Sequence, residues 1–360
     1  MSKKILVLAN PIINSHPGYA ANLSIILKTD SGYQWFLQHY FELFSIYEKS
    51  NNALLTRFSP LDYIRYSALI GCQPENIFCP AIKCYSIPRY SINDSTHNII
   101  DIVRYFINKE AYLFLYVERK EIEIFKTTYP HTHETFLYGY DDDEKRIYLA
   151  DYLSNNQYTY FSCSYQEFIK AYTNSSSGRE EDRGAFYVYW EADKLNVLQH
   201  NENYNYEFKK DLFLKKIDYH LGNKQYQLNY TPIIHDIKSS NTQIYWGIQT
   251  VQVIGEYITS CMLKQESVDL RQTAIQVDHK KVIVEIINYL GKTNTSILNL
   301  KDVADQLLNI TSTLQNVVIK YNLTKNSTSM QRDKIYSMID NIKNIETKIL
   351  QNTIIALNDK

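Results

Sequence analysis

The sequence predicts an α+β protein in which helices pack on an antiparallel sheet in the first half and a mainly α-helical region follows. Three observations carry this. Between residues 110 and 193, short β-branched and aromatic segments alternate with charged or Asn/Ser/Gly breaks. From residue 242 onward, long segments repeat apolar residues at helical spacing with hardly any Gly or Pro. The texture changes near residue 195, which divides the chain into a sheet-bearing domain over 1–195 and a helical domain over 196–360. A chain of 360 residues has room for one large domain or two smaller ones.

Taken in order, KKILVLANPII (3–13) reads as a strand or extended entry segment. Pro17 suits the first turn of a helix, where its missing N–H loses no intrahelical bond, and Ser15 or His16 sits near the N-cap. Tyr19 to Leu27 is apolar enough for a buried helix. WFLQHYFELFSIY (35–47) spaces its apolar residues for a second helix. Residues 72–93, rich in Cys, Pro and Ser, read as loop, and a helix follows over 97–109. Strands come next, in AYLFLYVERKEIEIF, ETFLYGYD, RIYLADY, YTYFSCSY and GAFYVYWEAD, with DDDEKR as a hairpin turn and a short helix over Gln166–Tyr172. NENYNYEFKKDLFLKKIDYHLG opens a different segment. Helices are expected over 242–264, 267–290, 299–322 and 328–356. The last spaces Ile and Met at three and four, as an amphipathic bundle helix covering the first domain does. No repeat marks a solenoid.

Composition excludes several classes. The net charge is −1, so no general field attracts nucleic acid or an anionic membrane. The 32 Tyr residues match what AT-rich coding produces. MSKKILVLANPII is a poor signal peptide, and no stretch approaches the roughly 20 apolar residues of a membrane span. The 5 cysteines are odd in number and lack CxxC spacing, which argues against a disulfide scaffold or zinc ribbon and for a reduced cytoplasmic setting. There is no GxxxxGK[ST], GxGxxG or HExxH motif. His97, His200, His220, His235 and His279 are isolated in sequence and are assigned no metal.

The most patterned stretch is 129-YPHTHETFLYGYDDDEKRIYLADY-152. Side chains alternate along a strand, so His133, Thr135 and Leu137 share a face. If the hairpin turns at Asp142 to Lys145, His133 comes level with Asp151 or just beyond it. A carboxylate there can accept the imidazole N–H, fix the tautomer and stabilise the imidazolium, as nucleophilic catalysis requires.

HETFLYGYDDDEKRIYLADY resembles the His-x4-Tyr-Gly-Tyr-Asp…Ala-Asp segment of papain-like domains of the bacteriocin-processing (C39-like) type, closest to the butirosin biosynthesis protein H N-terminal family. The likeness covers roughly residues 5–192. It implies a sheet that carries His133 and Asp151, with His131 as fallback, and an N-terminal helix whose tip carries a cysteine. There, helix N–H groups and the dipole lower a thiol pKa. Here that place is NSHPGYAANLSIIL (14–27), which has no cysteine. The family's oxyanion-binding amide lies six residues before the nucleophile. Asn14 lies six before Ala20, so Ala20 is the expected nucleophile position, with Gly18 and Ala21 as alternatives. Three accounts fit: an alanine put in place of a cysteine to trap a complex, a natural protein that binds an acyl group or peptide without cleaving it, or another nucleophile, namely Ser15 or Ser24 with His133, or Cys72.

The resemblance implies an acyltransferase of natural-product assembly. It would take an acyl group from the phosphopantetheine thioester of an acyl carrier protein and pass it to a small-molecule amine without ATP. A similar cysteine-protease-like enzyme is implied in amide formation for closthioamide. A peptidase, a thioesterase or a catalytically dead binding or immunity module are the alternatives. No cofactor is expected beyond the partner's phosphopantetheine. The helical region is expected to act as a lid or docking region, with Lys209, Lys210, Lys215 and Lys216 facing the acidic carrier.

Overall fold

A computed structural model describes residues 2–58, 79–93, 98–153, 157–175, 194–222, 242–326 and 328–359. The fold is α+β with antiparallel sheets, and the described residues form two compact units. The first comprises residues up to 33, then 79–175 and 194–206; the second comprises 34–58 and the chain from 207. The boundary expected at 195 therefore lies near one of the crossings, while residues 34–58 belong with the C-terminal helices.

The first unit is built on a seven-stranded sheet in the order β4-β9-β5-β6-β7-β8, with β1 also paired to β6. These strands are β1 (Lys3–Ile5), β4 (Ile82–Pro88), β5 (Tyr112–Glu118), β6 (Thr132–Asp141), β7 (Arg146–Tyr152), β8 (Tyr158–Ser164) and β9 (Lys194–His200). Every pairing is antiparallel. The DDDEKR turn forms because the Asp141 carboxylate accepts the N–H groups of Asp143 and Glu144, both at 3.0 Å, and Lys145 takes the left-handed conformation, φ 55°. The pairing slips by one residue between Leu137 and Gly139, a β-bulge. Beyond it, Gly139 lies under β1, where an added Cβ would meet the Lys4 carbonyl oxygen at 2.8 Å.

Register assigns the faces. Phe136 pairs with Ala150 and Ala150 with Tyr160, so these share a face with Glu134. His133, Thr135, Leu149 and Asp151 point to the other face. Helix α1 (Pro17–Ile26) packs on the Glu134 face, where the Ser24 hydroxyl lies 3.2 Å from that of Tyr160. All ten residues of α1 are buried. Pro17 is at its start and His16 is the N-cap, with Nδ1 accepting the Gly18 N–H at 3.2 Å. The opposite face is covered at this end by two 3-10 turns after β5, Arg119–Glu121 and Glu123–Phe125; Phe125 meets Phe161 edge to face at 5.3 Å. Helices α3 (Arg89–Asn93), α4 (Ile99–Asn108) and α5 (Tyr165–Asn174) complete the unit. A capping box between Ser164 and Glu167 starts α5.

The second unit carries a three-stranded sheet in the order β10-β2-β3, from Thr242–Trp246, Leu43–Glu48 and Ala53–Phe58. Around it lie α6 (Lys210–His220), α7 (Gln249–Lys264), α8 (Leu270–Gly291), α9 (Thr295–Leu298), α10 (Lys301–Thr324) and α11 (Ser329–Asn358). Helices α7 and α8 pack on the sheet, and α10 and α11 pack on them. The final helix thus buries its apolar stripe within its own unit.

Several elements differ from expectation. The helix expected over 35–47 is α2 (Asp30–His39) followed by β2. A fully buried strand and a buried helix both appear as an unbroken apolar run, and only pairing with β3 and β10 separates them. Residues 82–88, expected as loop, form the edge strand β4, which tolerates a proline at its end. Strand β9 was not anticipated, and the segment expected as helix from 242 begins with β10. GAFYVYWEAD lies outside the described residues, as does Cys72.

Candidate functional site

Phe136 of β6 pairs with Ala150 of β7, which brings Thr135 level with Asp151 and leaves His133 two residues further along β6 on the same face. The Asp151 carboxylate is fully buried, and His133 is 26% exposed. His133 Nδ1 lies 3.2 Å and 3.3 Å from the two oxygens of Asp151. The two residues expected to pair do meet.

A third group joins them. Arg119, on the first 3-10 turn, donates from Nε to Asp151 at 3.2 Å and from a terminal nitrogen at 2.6 Å. The same terminal nitrogen lies 2.7 Å from His133 Nδ1. Its guanidinium stands 4.9 Å from the Phe125 ring centroid. Asp151 also accepts from the Thr135 hydroxyl at 2.9 Å and from the Tyr152 N–H at 2.6 Å. Burial alone pushes this carboxyl up, but His133 and Arg119 outweigh it and hold the pKa below the usual carboxylate range.

The loop before His133 is tied by Glu118. Its carboxylate accepts the His131 N–H at 2.6 Å and the Thr132 hydroxyl at 3.3 Å. His131 meets His133 edge to face at 5.6 Å. Burial, then the Arg119 charge, lowers the His131 pKa to about 4. It is a neutral wall beside His133, and His133 is the imidazole that pairs with the acid.

The expected nucleophile position is elsewhere. Ala20 is fully buried in α1, on the Glu134 face of the sheet, and its N–H already bonds the His16 carbonyl at 3.1 Å. Gly18 and Ala21 are buried in the same helix. Asn14 is half-buried, two residues before the cap on this same helix. Ser24, an alternative nucleophile, donates its hydroxyl to the Ala20 carbonyl at 2.8 Å, and Ser15 directly precedes the cap. The helix tip is occupied by another pair, His16 Nε2 at 3.5 Å from Glu134, whose carboxylate also takes the Tyr116 hydroxyl at 3.1 Å. Strand alternation thus puts the expected Ala20–His133 couple on opposite sides of the sheet.

Other thiols are poor substitutes. Burial pushes Cys79 up to about 12 and Cys84 up to about 11, and raises Cys163 and Cys261. All four are free thiols. Arg119 is the residue the sequence reading missed. It directly follows the strand whose Val117 pairs with His133, a pairing that only the fold reveals.

The expected docking face also changes. Lys209, Lys210 and Lys215 are exposed, but Lys216 is buried and pairs with Glu42 at 3.1 Å. Among the described residues no helix is long and apolar enough to cross a membrane. Compared with known proteins, the chain matches no family model and no curated relative.

Proposed function

We propose that the first unit is a papain-like (C39-like) scaffold, of the kind its sequence resembles, that binds a carbonyl-bearing ligand, an acyl group or a peptide, without covalent chemistry. One observation carries this reading: the 2.7 Å contact from Arg119 to His133 Nδ1. A guanidinium nitrogen only donates, so where this contact is made Nδ1 accepts and the ring proton is assigned to Nε2. The Glu134 carbonyl at 2.9 Å and the Asp151 oxygens at 3.2 and 3.3 Å only accept and draw a proton to Nδ1 instead, so the tautomer is the point on which the two readings part. His133 is 26% exposed, and an Nε2–H on it supplies a donor for a ligand oxygen. Acyl-transfer catalysis needs the reverse, with Nδ1–H held by the carboxylate and an Nε2 lone pair ready to take the nucleophile's proton. The alanine at position 20 and its place on the other face support the same reading. The ¹⁵N shifts of the His133 ring at neutral pH test it. The expected result is the Nε2–H tautomer, perturbed by a non-cleavable acyl-pantetheine amide; an Nδ1–H tautomer in the free protein overturns it.

A second reading keeps the enzyme. The 3.2 Å approach of His133 to a fully buried carboxylate favours an amide-forming acyltransferase that draws on an acyl carrier protein thioester and an amine acceptor. Its test is Ala20→Cys. Because that position is buried away from His133, the variant is expected to resist a thiol-reactive probe and to consume no acyl-pantetheine thioester. Thioester consumption with amide product would establish the second reading instead.

A further inference from the structure

Three helices of the second unit each send a polar side chain to one interior point: His220 from the end of α6, His279 from α8 and Glu346 from α11. Each is buried, and one ligand atom from each lies within 4.8 Å of the others. Glu346 Oε1 is 2.9 Å from His220 Nε2 and 3.5 Å from His279 Nδ1. The donors of a tetrahedral zinc ion with bonds of about 2.0–2.1 Å stand roughly 3.3–3.4 Å apart, so small side-chain shifts suffice. His279 Nε2 donates to the Phe41 carbonyl at 2.7 Å. That bond fixes the tautomer and turns the Nδ1 lone pair inward, as the outer partner of a metal-bound histidine does. The fourth member of the cluster is Lys280. Its ammonium lies 2.7 Å from Glu346 Oε2 and 3.0 Å from His279 Nδ1. The lysine alone neutralises Glu346; two imidazoles converging on the same carboxylate exceed what an ion pair needs. The set of two imidazole nitrogens and one carboxylate is that of a borderline divalent cation.

We propose that His220, His279 and Glu346 form a structural site for a zinc-class divalent cation, and that the Lys280 ammonium fills it in the metal-free protein. Binding breaks the Lys280–Glu346 ion pair and puts the ion on His220 Nε2, His279 Nδ1 and the carboxylate; the His220 ring proton moves from Nε2 to Nδ1, and the Lys280 ammonium gives up one proton to solvent for each ion bound. The site is independent of the His133 site and of any activity there.

The test uses the full, tag-free chain, stripped with a chelator and then dialysed with zinc or cobalt(II). About one zinc per chain is expected to be retained by the wild type. Lys280→Met, which removes the competing cation, should bind at least about tenfold tighter. Glu346→Gln should lose the metal. The proposal is overturned if neither the wild type nor Lys280→Met retains zinc, or if Glu346→Gln retains as much as the wild type. Should Glu346→Gln fail to fold, the cobalt spectrum of Lys280→Met decides: a tetrahedral visible band supports the site and its absence overturns it.

Discussion

A guanidinium cannot accept a hydrogen bond, and in the reading proposed above the Arg119 contact is what sets the tautomer of His133. Replacing Arg119 with Gln is expected to release Nδ1 to donate to Asp151 and so invert the tautomer, read from the ring ¹⁵N shifts. Asp151 is the other half of the lock. Asp151→Asn leaves the largely buried Arg119 without its counter-charge, a change that costs on the order of 3–5 kcal/mol and is read from urea unfolding midpoints. The acid dependence has a definite sign. The folded pKa of Asp151 is depressed, so its contribution is complete above the unfolded value of about 3.9 and is lost as pH falls through the lower folded value. The variant should flatten that acid limb and leave the neutral range unsloped. At this scale the sequence was informative where chemistry is local. Alternation along HETFLYGYD put His133 and Thr135 on one face, and the hairpin turn brought Asp151 level with them. Arg119 escaped because its contact depends on how the chain folds back after β5, which no spacing between Arg119 and Asp151 encodes.

Among the elements, those with strong punctuation were legible. Helix α1 starts at its proline, α5 at its capping box and the β6–β7 hairpin at its aspartate-rich turn. The ends of α11 were read to within two residues, since its period persists over thirty. Its start is fixed by a capping box between Thr328 and Gln331; Thr328→Ala should cost about 1 kcal/mol in urea unfolding. Strands β2, β4 and β9 were not legible, because a short buried or edge strand is defined by its partner. Gly139 shows the same dependence. Its missing side chain matters only because β1 crosses there, so Gly139→Val should displace β1. The expected signs are faster amide exchange at Leu6, whose N–H bonds the Tyr138 carbonyl, and a loss of about 1–3 kcal/mol.

At the scale of the whole chain, the two units are interleaved in sequence. A chain ending at residue 193 lacks β9, the strand between β4 and β5, and is expected to show no cooperative urea transition for the first unit. A chain beginning at 207 lacks β2 and β3 and should likewise fail to fold, whatever the strength of its helical periodicity. The sequence by itself determined the α+β class, the long helices and the pairing of His133 with Asp151, because helical period, strand alternation and a tight hairpin are all short-range properties. Only the tertiary structure decided that β9 belongs to the first sheet, that His220 and His279 meet Glu346, and that α1 lies on the face away from His133. A period of two fixes which side chains share a face, but which face a distant helix covers is settled by long-range packing.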